Sequence, residues 1–402
     1  MMPQESLKVL IFTTEDWAGI ARLPKALQEA GFRVATLSGN QSLLTKSGFI
    51  DQRFSLPDRR KGRAIYESLV KTMATWRPPL VIPGDDPAVQ FLQRIATKVG
   101  SGKIRHQHDE SVNTIAFSLG DSRYFLATSS KPHTQSVARD LGIKIPAGVL
   151  VRKLTDAMRF AGEHGYPVVL KQSVGYAGTG VRICSGPAEL QVAFDELRRK
   201  FVLAKRLART LLGDRLESYW FGEDSSLSAQ VFVRGAPAMF NMVAMNGTLL
   251  AGFTAVKERI SPPPAGPSSV IRFADRPDVA SSASAFVRKV GYTGFGSFDF
   301  VLDHETGSAT LLEFNARPTP VAHLGGYAGT DLCQALFASM GGSPDARQAE
   351  RRRESVIALF PQEYLRDASS PYFSSAFHDV PSGDPDLLQA YCTRFGIDRE
   401  SI

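Results

Sequence analysis

Short apolar runs alternate with segments of helical periodicity along the first hundred residues. KVLIF (8–12) and RVATLS (33–38) have the length and composition of buried strands, and the amphipathic stretch between them predicts a helix that ends at Gly31. The pattern repeats in PLVIPGDD (79–86), which is followed by another predicted helix. Alternating strands and helices indicate a parallel sheet, so this region is predicted to be an α/β domain. No GxGxxG follows the first strand, so the dinucleotide-binding fingerprint is absent.

From about residue 121 the pattern changes to strands joined by hairpin turns. VVLK (168–171) and VRIC (181–184) flank the glycine-rich SVGYAGTG, which is therefore predicted to be the turn of a hairpin. Strand patterns continue through 216–235, 239–259 and 291–320, the last with a turn at 303–307. Helices are predicted over 134–141, 155–164 and 279–290. This mixture indicates an α+β region after the α/β region.

The composition is that of an ordinary globular protein. The chain has 402 residues, 43% of them apolar and 22% charged, a length that predicts two to three domains. No apolar run is long enough to span a membrane, and the N-terminus lacks the pattern of a signal peptide, so a cytoplasmic protein is expected. The cysteines lie far apart without a CxxC spacing, which argues against a disulfide framework or a zinc site; they are Cys184, Cys333 and Cys392.

The net charge of +7 first suggests a nucleic-acid partner. The basic residues are dispersed, however, and their densest cluster, RQAERRRE (347–354), has the spacing of a solvated helix face. No nucleic-acid motif accompanies that cluster. An anionic small substrate or a nucleotide accounts equally well for a mild positive field, so neither nucleic acid nor a membrane is predicted as a partner.

The strand pattern LLEFNARPTP (311–320) carries an unusual polar row. Because successive side chains of a strand point to opposite faces, Glu313, Asn315 and Arg317 share one face, and the apolar residues between them share the other. A strand-to-strand salt bridge between Glu313 and Arg317 would explain two of these residues. It would not explain Asn315.

A second acid stands in the preceding strand, where Asp299 lies between two phenylalanines in GSFDFVLD. If the two strands pair as a hairpin, Asp299 and Glu313 come close together, with Asn315 beside them. Adjacent carboxylates repel each other unless a cation lies between them, and hard oxygen ligands suit Mg²⁺, whose shell is then completed by nucleotide phosphates. Arg317 would face the phosphoryl group being transferred.

The glycine-rich turn and a nearby lysine fit the same interpretation. Glycines allow backbone N–H groups to wrap phosphate oxygens, and a loop with strands on both sides is better suited to a flap over a triphosphate than to a P-loop. The P-loop pattern fails because Val181 and Arg182 follow Gly180. Lys171 ends the strand before the flap, which would place its ammonium at the mouth of the same pocket. A plain hairpin turn and a surface lysine remain the alternatives.

Taken in order, these motifs resemble the ATP-grasp superfamily of carboxylate–amine ligases, with an ATP-binding domain like that of carbamoyl-phosphate synthetase. The resemblance covers roughly 120–330 and rests on Lys131, on Lys171 with SVGYAGTG, and on LESYWFGED, FDF and LLEFNARP. It implies an N-terminal parallel-sheet domain followed by a two-lobed ATP-grasp domain. The expected boundaries are 1–120 for the N-terminal domain, 121–205 for the small lobe with its flap, 206–340 for the large lobe and 341–402 for a C-terminal extension.

The resemblance also implies roles for individual residues. Lys131 and Lys171 would contact the ATP phosphates, with Lys171 also near the adenine and a catalytic role shared with Arg317. Asp224 would bind the ribose hydroxyls in a position where Glu is commoner. The other nucleotide contacts would be the flap glycines Gly175, Gly178 and Gly180 and the adenine hinge that includes Glu217, Tyr219 and Trp220.

The resemblance further implies that Asp299, Glu313 and Asn315 coordinate Mg²⁺, for which Mn²⁺ is an alternative, and that Arg317 steadies the acyl-phosphate step. Position 299 holds Asp where many members hold Glu or Gln. Weaker candidates for contact with the substrate are His323, Lys257 and Arg259, and after the first strand Asp16 and Trp17. Gly84, Asp85 and Asp86 are expected at the carboxyl end of a strand, where they would face a ligand. His106 and His108 lack the further ligands that a metal site needs.

These features predict an ATP- and Mg²⁺-dependent ligase that joins a small carboxylate to an amine through an acyl phosphate, forming an amide or peptide bond and releasing ADP and phosphate. One alternative keeps the fold but uses bicarbonate, as carboxylases or carbamoyl-phosphate enzymes do; no biotin-attachment motif is visible, and the chain is short for a two-site carbamoyl-phosphate enzyme. Another is a non-catalytic ATP-binding module. The identity of the acid and the amine, the pathway, the role of 341–402 and the oligomeric state, a homodimer included, are left open.

Overall fold

The computed structural model describes residues 6–57, 62–100, 109–172, 180–212, 227–263, 266–343 and 355–402. Three sheets organise this part of the chain, with strand orders β3-β2-β1-β4, β5-β8-β6-β7 and β13-β12-β9-β10-β11-β14-β15. The strands are β1 (Lys8–Phe12), β2 (Arg33–Ser38), β3 (Gln52–Ser55), β4 (Leu80–Pro83), β5 (Gly148–Val151), β6 (Val168–Gln172), β7 (Val181–Cys184), β8 (Leu227–Val231), β9 (Ala236–Met245), β10 (Thr248–Ile260), β11 (Ser268–Ala274), β12 (Gly294–Leu302), β13 (Ala309–Asn315), β14 (Val356–Leu359) and β15 (Phe377–Asp379).

Thirteen α-helices of the described residues connect and cover these sheets. They are α1 (Leu23–Ala30), α2 (Gly62–Trp76), α3 (Asp86–Gly100), α4 (Asp109–Leu119), α5 (Phe125–Ser129), α6 (Lys131–Asp140), α7 (Leu154–His164), α8 (Pro187–Leu212), α9 (Pro277–Val290), α10 (Leu332–Ser339), α11 (Gln362–Arg366), α12 (Tyr372–Ser375) and α13 (Pro385–Phe395). Among the described residues, no helix is both long enough and apolar enough to cross a bilayer.

The N-terminal sheet is parallel and is buried on both faces, which confirms the α/β prediction. Alternation along β1 sends Ile11 toward α1 and Phe12 toward α2 and α3. Helix α1 ends at Gly31, whose φ of +111° is easily adopted only by glycine. The strands KVLIF and RVATLS have the predicted bounds. A buried parallel sheet is the arrangement in which carboxyl ends of strands face a ligand.

The second sheet is small and antiparallel, and α7 and α8 pack on it. The predicted hairpin of β6 with β7 is present at one edge of this sheet, and its register places Lys171 opposite Val181. The turn between them, 173–179, lies outside the described residues.

The third sheet has seven strands and provides the floor beneath the cavity described below. Aromatic contacts hold α9 against it, since the Phe286 ring lies edge-to-face with Phe298 at 5.3 Å and tilted against Phe314 at 5.4 Å, both between ring centroids. The C-terminal residues complete the sheet, because β14 pairs with β11 and β15 pairs with β14. One apolar core runs from α1 through this sheet to α10, so the N-terminal sheet is packed firmly against the large one. The domain boundaries remain a prediction.

Candidate functional site

A cavity of about 510 Å³ lies where the three sheets meet. Its lining includes the loop after β1, the start of α6, the inner strands of the small sheet and one face of β10 to β13. Most of the charged and amide side chains predicted for a nucleotide and metal site lie in this lining: Lys131, Lys171, Lys257, Asp299, Glu313, Asn315 and Arg317.

The oxygen ligands cluster at the pairing of β12 with β13. Asp299 stands directly opposite Glu313, and Ser297 stands opposite Asn315, so the predicted hairpin register is confirmed. The Asn315 amide donates from Nδ2 to Asp299 Oδ2 over 3.1 Å, which leaves its carbonyl oxygen available for another partner. Two carboxylates and an amide oxygen therefore converge on one side of the cavity.

Lysines from other elements neutralise these acids. Lys131, the first residue of α6, places Nζ 2.8 Å from Glu313 Oε2. Lys257 on β10 places Nζ 2.9 Å from Asp299 Oδ1. The helix that carries Lys131 begins three residues before its predicted start at Thr134, so the lysine is fixed on a helix end rather than in a loop.

The electric field of this cluster changes its acid–base properties. Burial acts to raise the pKa of Glu313, but Lys131, Lys171 and Lys257 outweigh it and bring that pKa to about 2. Burial and the nearby Lys131 ammonium lower the pKa of Lys171 to about 8. Glu313 is thus a carboxylate at neutral pH, while Lys171 is poised to lose or gain its proton near pH 8.

Arg317 makes a partnership that the sequence did not predict. Its Nε and Nη2 donate to the two carboxylate oxygens of Asp86, each over 2.9 Å, and its guanidinium lies 4.7 Å from the centre of the Trp17 ring. Glu313 and Arg317 do not form the salt bridge that was the alternative explanation of these two residues. Glu313 pairs with Lys131 instead. Burial acts to lower the pKa of Arg317, and Asp86 more than compensates, so the guanidinium stays charged.

Asp85, next to this pair, fixes the loop that carries Trp17. Its carboxylate accepts hydrogen bonds from the backbone N–H groups of Thr14 at 2.7 Å, Glu15 at 2.9 Å and Ala88 at 2.7 Å. These bonds tie the loop after β1 to the start of α3. The two aspartates that follow β4 therefore have different roles. Asp85 holds the backbone of the loop after β1, and Asp86 faces the cavity.

Known proteins resemble this chain in sequence. A family model described as "Carbamoyl-phosphate synthase L chain, ATP binding domain" matches residues 130–212. Biotin carboxylase 1 of Bacillus subtilis is 26% identical over 215 residues, which are 50% of this chain and 44% of that protein. The large chain of carbamoyl phosphate synthase from Thermotoga maritima is 25% identical over 308 residues, 75% of this chain and 25% of that protein. These comparisons support the resemblance to the ATP-grasp superfamily.

Solved structures agree with the ATP-grasp fold. The biotin carboxylase domain dimer of Hydrogenobacter thermophilus 2-oxoglutarate carboxylase, in complex with MgADP, ADP and bicarbonate, superposes with a TM-score of 0.60 at 18% identity and covers 87% of this chain and 72% of its own. An N5-carboxyaminoimidazole synthase from Aspergillus clavatus, in complex with ADP and its ribonucleotide, gives 0.59 at 14% identity and covers 87% and 81%. Both likenesses concern the fold. The chain spans less than half the length of the two curated relatives named above.

The structure places two of the predicted substrate contacts away from the lining of this cavity. His323 does not line the cavity; its Nε2 lies 3.1 Å from a buried Asp379 Oδ2. Arg259 is exposed and lies over the Tyr372 ring, because an irregularity in the pairing of β10 with β11 between Lys257 and Arg259 breaks the alternation that would have put both on one face.

The remaining nucleotide contacts are only partly described. Gly180 lines the cavity at the start of β7. Gly175, Gly178, Glu217, Tyr219, Trp220 and Asp224 lie outside the described residues, as do His106 and His108.

Sequence reasoning also missed lining residues that carry no motif. Four buried polar atoms of the lining have no hydrogen-bond partner, namely Gln230 Oε1, Ser268 Oγ, Ser297 Oγ and Gln362 Oε1. Ser297 could have been found, since it shares a strand face with Asp299. Ser268 and Gln362 could not, because they stand at element ends brought together by the tertiary fold.

Proposed function

We propose that this protein is an ATP- and Mg²⁺-dependent ligase that joins a carboxylate to an amine through an acyl phosphate and releases ADP and phosphate. The observation that carries the proposal is the opposed pair Asp299 and Glu313, held in register on neighbouring strands and ringed by Lys131, Lys171, Lys257 and Arg317. A purely structural ion-pair network would not need an open cavity with four cations in its wall.

The oxygen atoms that the site offers as ligands suit Mg²⁺ that is bound together with a nucleotide. No group of three or more His, Cys, Asp or Glu that could hold a metal ion occurs among the described residues. Mg²⁺ is typically held by one or two carboxylates, with phosphates and water completing its shell. Asp299, Glu313 and the carbonyl oxygen of Asn315 would supply that partial set. When bound, the ion would neutralise charge on the phosphoryl group being transferred.

The rest of the cavity suits the remainder of ATP. Lys131 and Lys171, which both line the cavity, would contact the phosphates. An apolar section of the wall between the small and large sheets would take the adenine; it consists of Val169, Ile183, Val233, Val301 and Leu312. Gly180, at the start of β7, would let the backbone approach the phosphates closely.

In the first step a substrate carboxylate oxygen would attack the γ-phosphorus, the bond from that phosphorus to the β,γ-bridging oxygen would break, and ADP would leave. Arg317 and Lys257 would offset the negative charge that develops there. In the second step the amine nitrogen would attack the acyl carbon, the acyl carbon–oxygen bond would break, phosphate would leave, and the nitrogen would lose a proton. The protein would act mainly by positioning and charge compensation.

The test is an ADP-release assay with pooled small carboxylates and amino acids, followed by mass detection of the product. Release should require Mg²⁺ and both substrates and should fall roughly 100-fold or more in Glu313→Gln. Glu67→Gln, on the exposed face of α2, is the matched control and should keep full activity. Undiminished turnover in Glu313→Gln would exclude the assignment, and tight ATP binding without ADP release would favour a non-catalytic module.

A bicarbonate-using reaction is the second candidate. It is favoured by the biotin carboxylase relative and by the neighbouring structure solved with bicarbonate. In this chain Lys257 and Arg317 are two lining cations that would hold so small an anion. Labelled bicarbonate that enters the product, in a reaction that does not depend on an organic acid, would decide for this candidate.

A further inference from the structure

The loop after β1 is held from two sides, and it carries Trp17 between the two attachments. On one side Asp85 accepts hydrogen bonds from the backbone N–H groups of residues 14 and 15. On the other side the phenolic Oη of Tyr391 donates a hydrogen bond to the backbone oxygen of Ala18 over 2.9 Å. Tyr391 belongs to α13, a helix of the C-terminal segment, so that segment reaches the loop at the residue next to Trp17.

Helix α13 is itself fixed to the N-terminal part of the chain. Its N-cap residue, Asp384, accepts hydrogen bonds from Ser47 Oγ over 2.6 Å and from the backbone N–H of Gly48 over 3.0 Å. One apolar face of the helix is buried, with Leu387, Leu388, Tyr391 and Cys392 at helical spacing. Because α13 is held both at its start and along this face, it provides a rigid support for the loop.

Two polar contacts join α13 to the loop, and they differ in strength. Tyr391 is 2% exposed, so its hydrogen bond to Ala18 is well shielded from water. Arg394 forms an ion pair with Asp16 over 2.7 Å, but the two side chains are 36% and 35% exposed, so solvent screens their attraction. Ala18 also packs against the apolar cluster of α13. The hydrogen bond from Tyr391 is therefore expected to hold the loop more firmly than the ion pair does.

Trp17, the residue before Ala18, covers the guanidinium of the site. Its ring centre lies 4.7 Å from that group of Arg317, and Asp86 holds one edge of the same guanidinium through Nε and Nη2. The ring contributes a cation–π contact and keeps water from Arg317, which is 8% exposed. A ring that moved away would admit water and remove one of the contacts that fix the guanidinium.

We propose that α13 positions Arg317 for the reaction by holding the loop of Trp17, and that Tyr391 is the positioning residue. The proposal rests on the proposed function, in which Arg317 offsets charge on the transferred phosphoryl group. The contacts run from Tyr391 Oη to Ala18, then along the backbone to Trp17, and from the Trp17 ring to Arg317. The C-terminal segment thus affects the chemistry through α13, although none of the described residues that line the cavity belongs to that helix.

The position of Trp17 can be followed without measuring activity. The chain has three tryptophans, so full-length protein labelled with fluorotryptophan gives three fluorine NMR resonances, and Trp17→Phe assigns one of them. Tyr391→Phe removes the phenolic oxygen and leaves the ring in its apolar cluster. This variant should shift or broaden the Trp17 resonance. The resonance of Trp76, which is buried on α2, should stay in place.

The effect on turnover should separate from nucleotide binding. In Tyr391→Phe, kcat for ADP release with the pooled substrates named above should fall about 3- to 10-fold, as expected when one orienting hydrogen bond is lost. Calorimetry should give a Kd for the Mg²⁺ complex of the β,γ-imido analogue of ATP within about 2-fold of the wild type, because Lys131 and Lys171 are the predicted phosphate contacts. Arg394→Gln should change kcat by less than about 2-fold, since the exposed ion pair contributes little.

Cys392→Ala is the control for a general loosening of α13. Cys392 lies in the same apolar cluster as Tyr391 and is 4% exposed. Its replacement removes a buried sulfur from the same face of the helix and retains the Tyr391 hydroxyl group. It should lower the melting temperature at least as much as Tyr391→Phe does, while the Trp17 resonance and kcat stay as in the wild type.

A Trp17 resonance that is unchanged in Tyr391→Phe, or that moves equally in Cys392→Ala, would overturn the proposal. An unchanged kcat in Tyr391→Phe, measured against an active wild type, would overturn it as well. Normal ADP release in every variant without any shift of Trp17 would reject the positioning role and keep the ligase. A wild type that releases no ADP, together with a Trp17 shift found only in Tyr391→Phe, would reject the ligase and keep the hold of α13 on Trp17.

Discussion

The guanidinium of Arg317 is held by the carboxylate of Asp86 through two hydrogen bonds of 2.9 Å, although the residues lie 231 positions apart. Arg317 follows β13, the second strand of the hairpin, and Asp86 begins α3, which packs beside the N-terminal sheet. The arginine that is predicted to meet the transferred phosphoryl group is therefore oriented by a helix from the N-terminal part of the chain. Residues of that part contribute directly to the geometry of the site.

Replacing Asp86 with Asn should reduce kcat about 10-fold while leaving the Kd for the Mg²⁺ complex of the ATP analogue within about 2-fold of the wild type. The amide still occupies the space but offers one acceptor instead of two, so Arg317 is less firmly oriented. Steady-state ADP release and calorimetric titration measure the two quantities. Asp278→Asn, an exposed partner of Arg276, serves as the control. A fall in nucleotide affinity with kcat unchanged would contradict the positioning role.

Nucleotide affinity should depend on pH through Lys171. Its pKa of about 8 in the free protein means that its positive charge is lost as the pH rises above that value. Bound phosphates favour the protonated form, so affinity for the Mg²⁺ complex of the ATP analogue should be greatest below pH 8 and should fall by up to 10-fold per pH unit above it. Calorimetry at pH 7, 8 and 9 measures the slope. Lys171→Arg stays charged throughout and should remove this dependence; an unchanged slope would assign it to another group.

Gly19 should not tolerate a side chain. A Cβ at this position would lie 2.5 Å from the Trp17 ring and 2.8 Å from the Pro320 side chain. Gly19→Ala must therefore displace Trp17, which covers the guanidinium of Arg317. We expect ADP release to fall about 10-fold with little change in melting temperature, because the loop lies at the cavity wall. Gly162→Ala, where nothing lies within 4 Å of the added atom, is the control. Full activity in Gly19→Ala would show that the loop adapts.

His323 should matter for stability rather than for catalysis. Asp379 accepts hydrogen bonds from Arg22 at 2.8 Å and lies 3.1 Å from His323 Nε2, so this cluster joins α1, the segment after β13 and β15. Asp379→Asn should lower the free energy of unfolding by about 3 kcal/mol, because it leaves the largely covered guanidinium of Arg22 without its counter-charge. Urea unfolding measures this change. In His323→Gln, kcat should stay within 2-fold; a selective loss of kcat would restore the substrate contact.

The same cluster makes the stability of the fold depend on pH, and the lowered pKa of Asp379 gives the direction of that dependence. Burial acts to raise the pKa of Asp379, but Arg22 and His323 hold it below the ordinary 3.8. A lowered carboxyl pKa stabilises the fold above the unfolded value and loses that contribution as the pH falls through the folded value. Wild-type stability should therefore decline below about pH 4 more steeply than that of Asp379→Asn, as acid-unfolding curves would show. Parallel curves would place the acid sensitivity elsewhere.

The order of elements was predictable wherever one local signal dominated. β1, β2 and β7 have their predicted bounds because their apolar runs are short and end in clear turns. The hairpin of Asp299 and Glu313 was predictable because alternation fixes the faces and one short turn fixes the register. Arg259 was misplaced because a pairing irregularity between two strands leaves no local mark in the sequence.

The sequence alone determined the elements and the polar row on β13, since periodicity and alternation are properties of neighbouring residues. Only the tertiary structure determined which of these side chains contact one another. Lys131 meets Glu313, Asp86 meets Arg317 and Gln362 joins Ser268 at one cavity because separate sheets pack together and bring distant residues within reach. Such contacts depend on the packing of whole elements, and no short stretch of the chain encodes them.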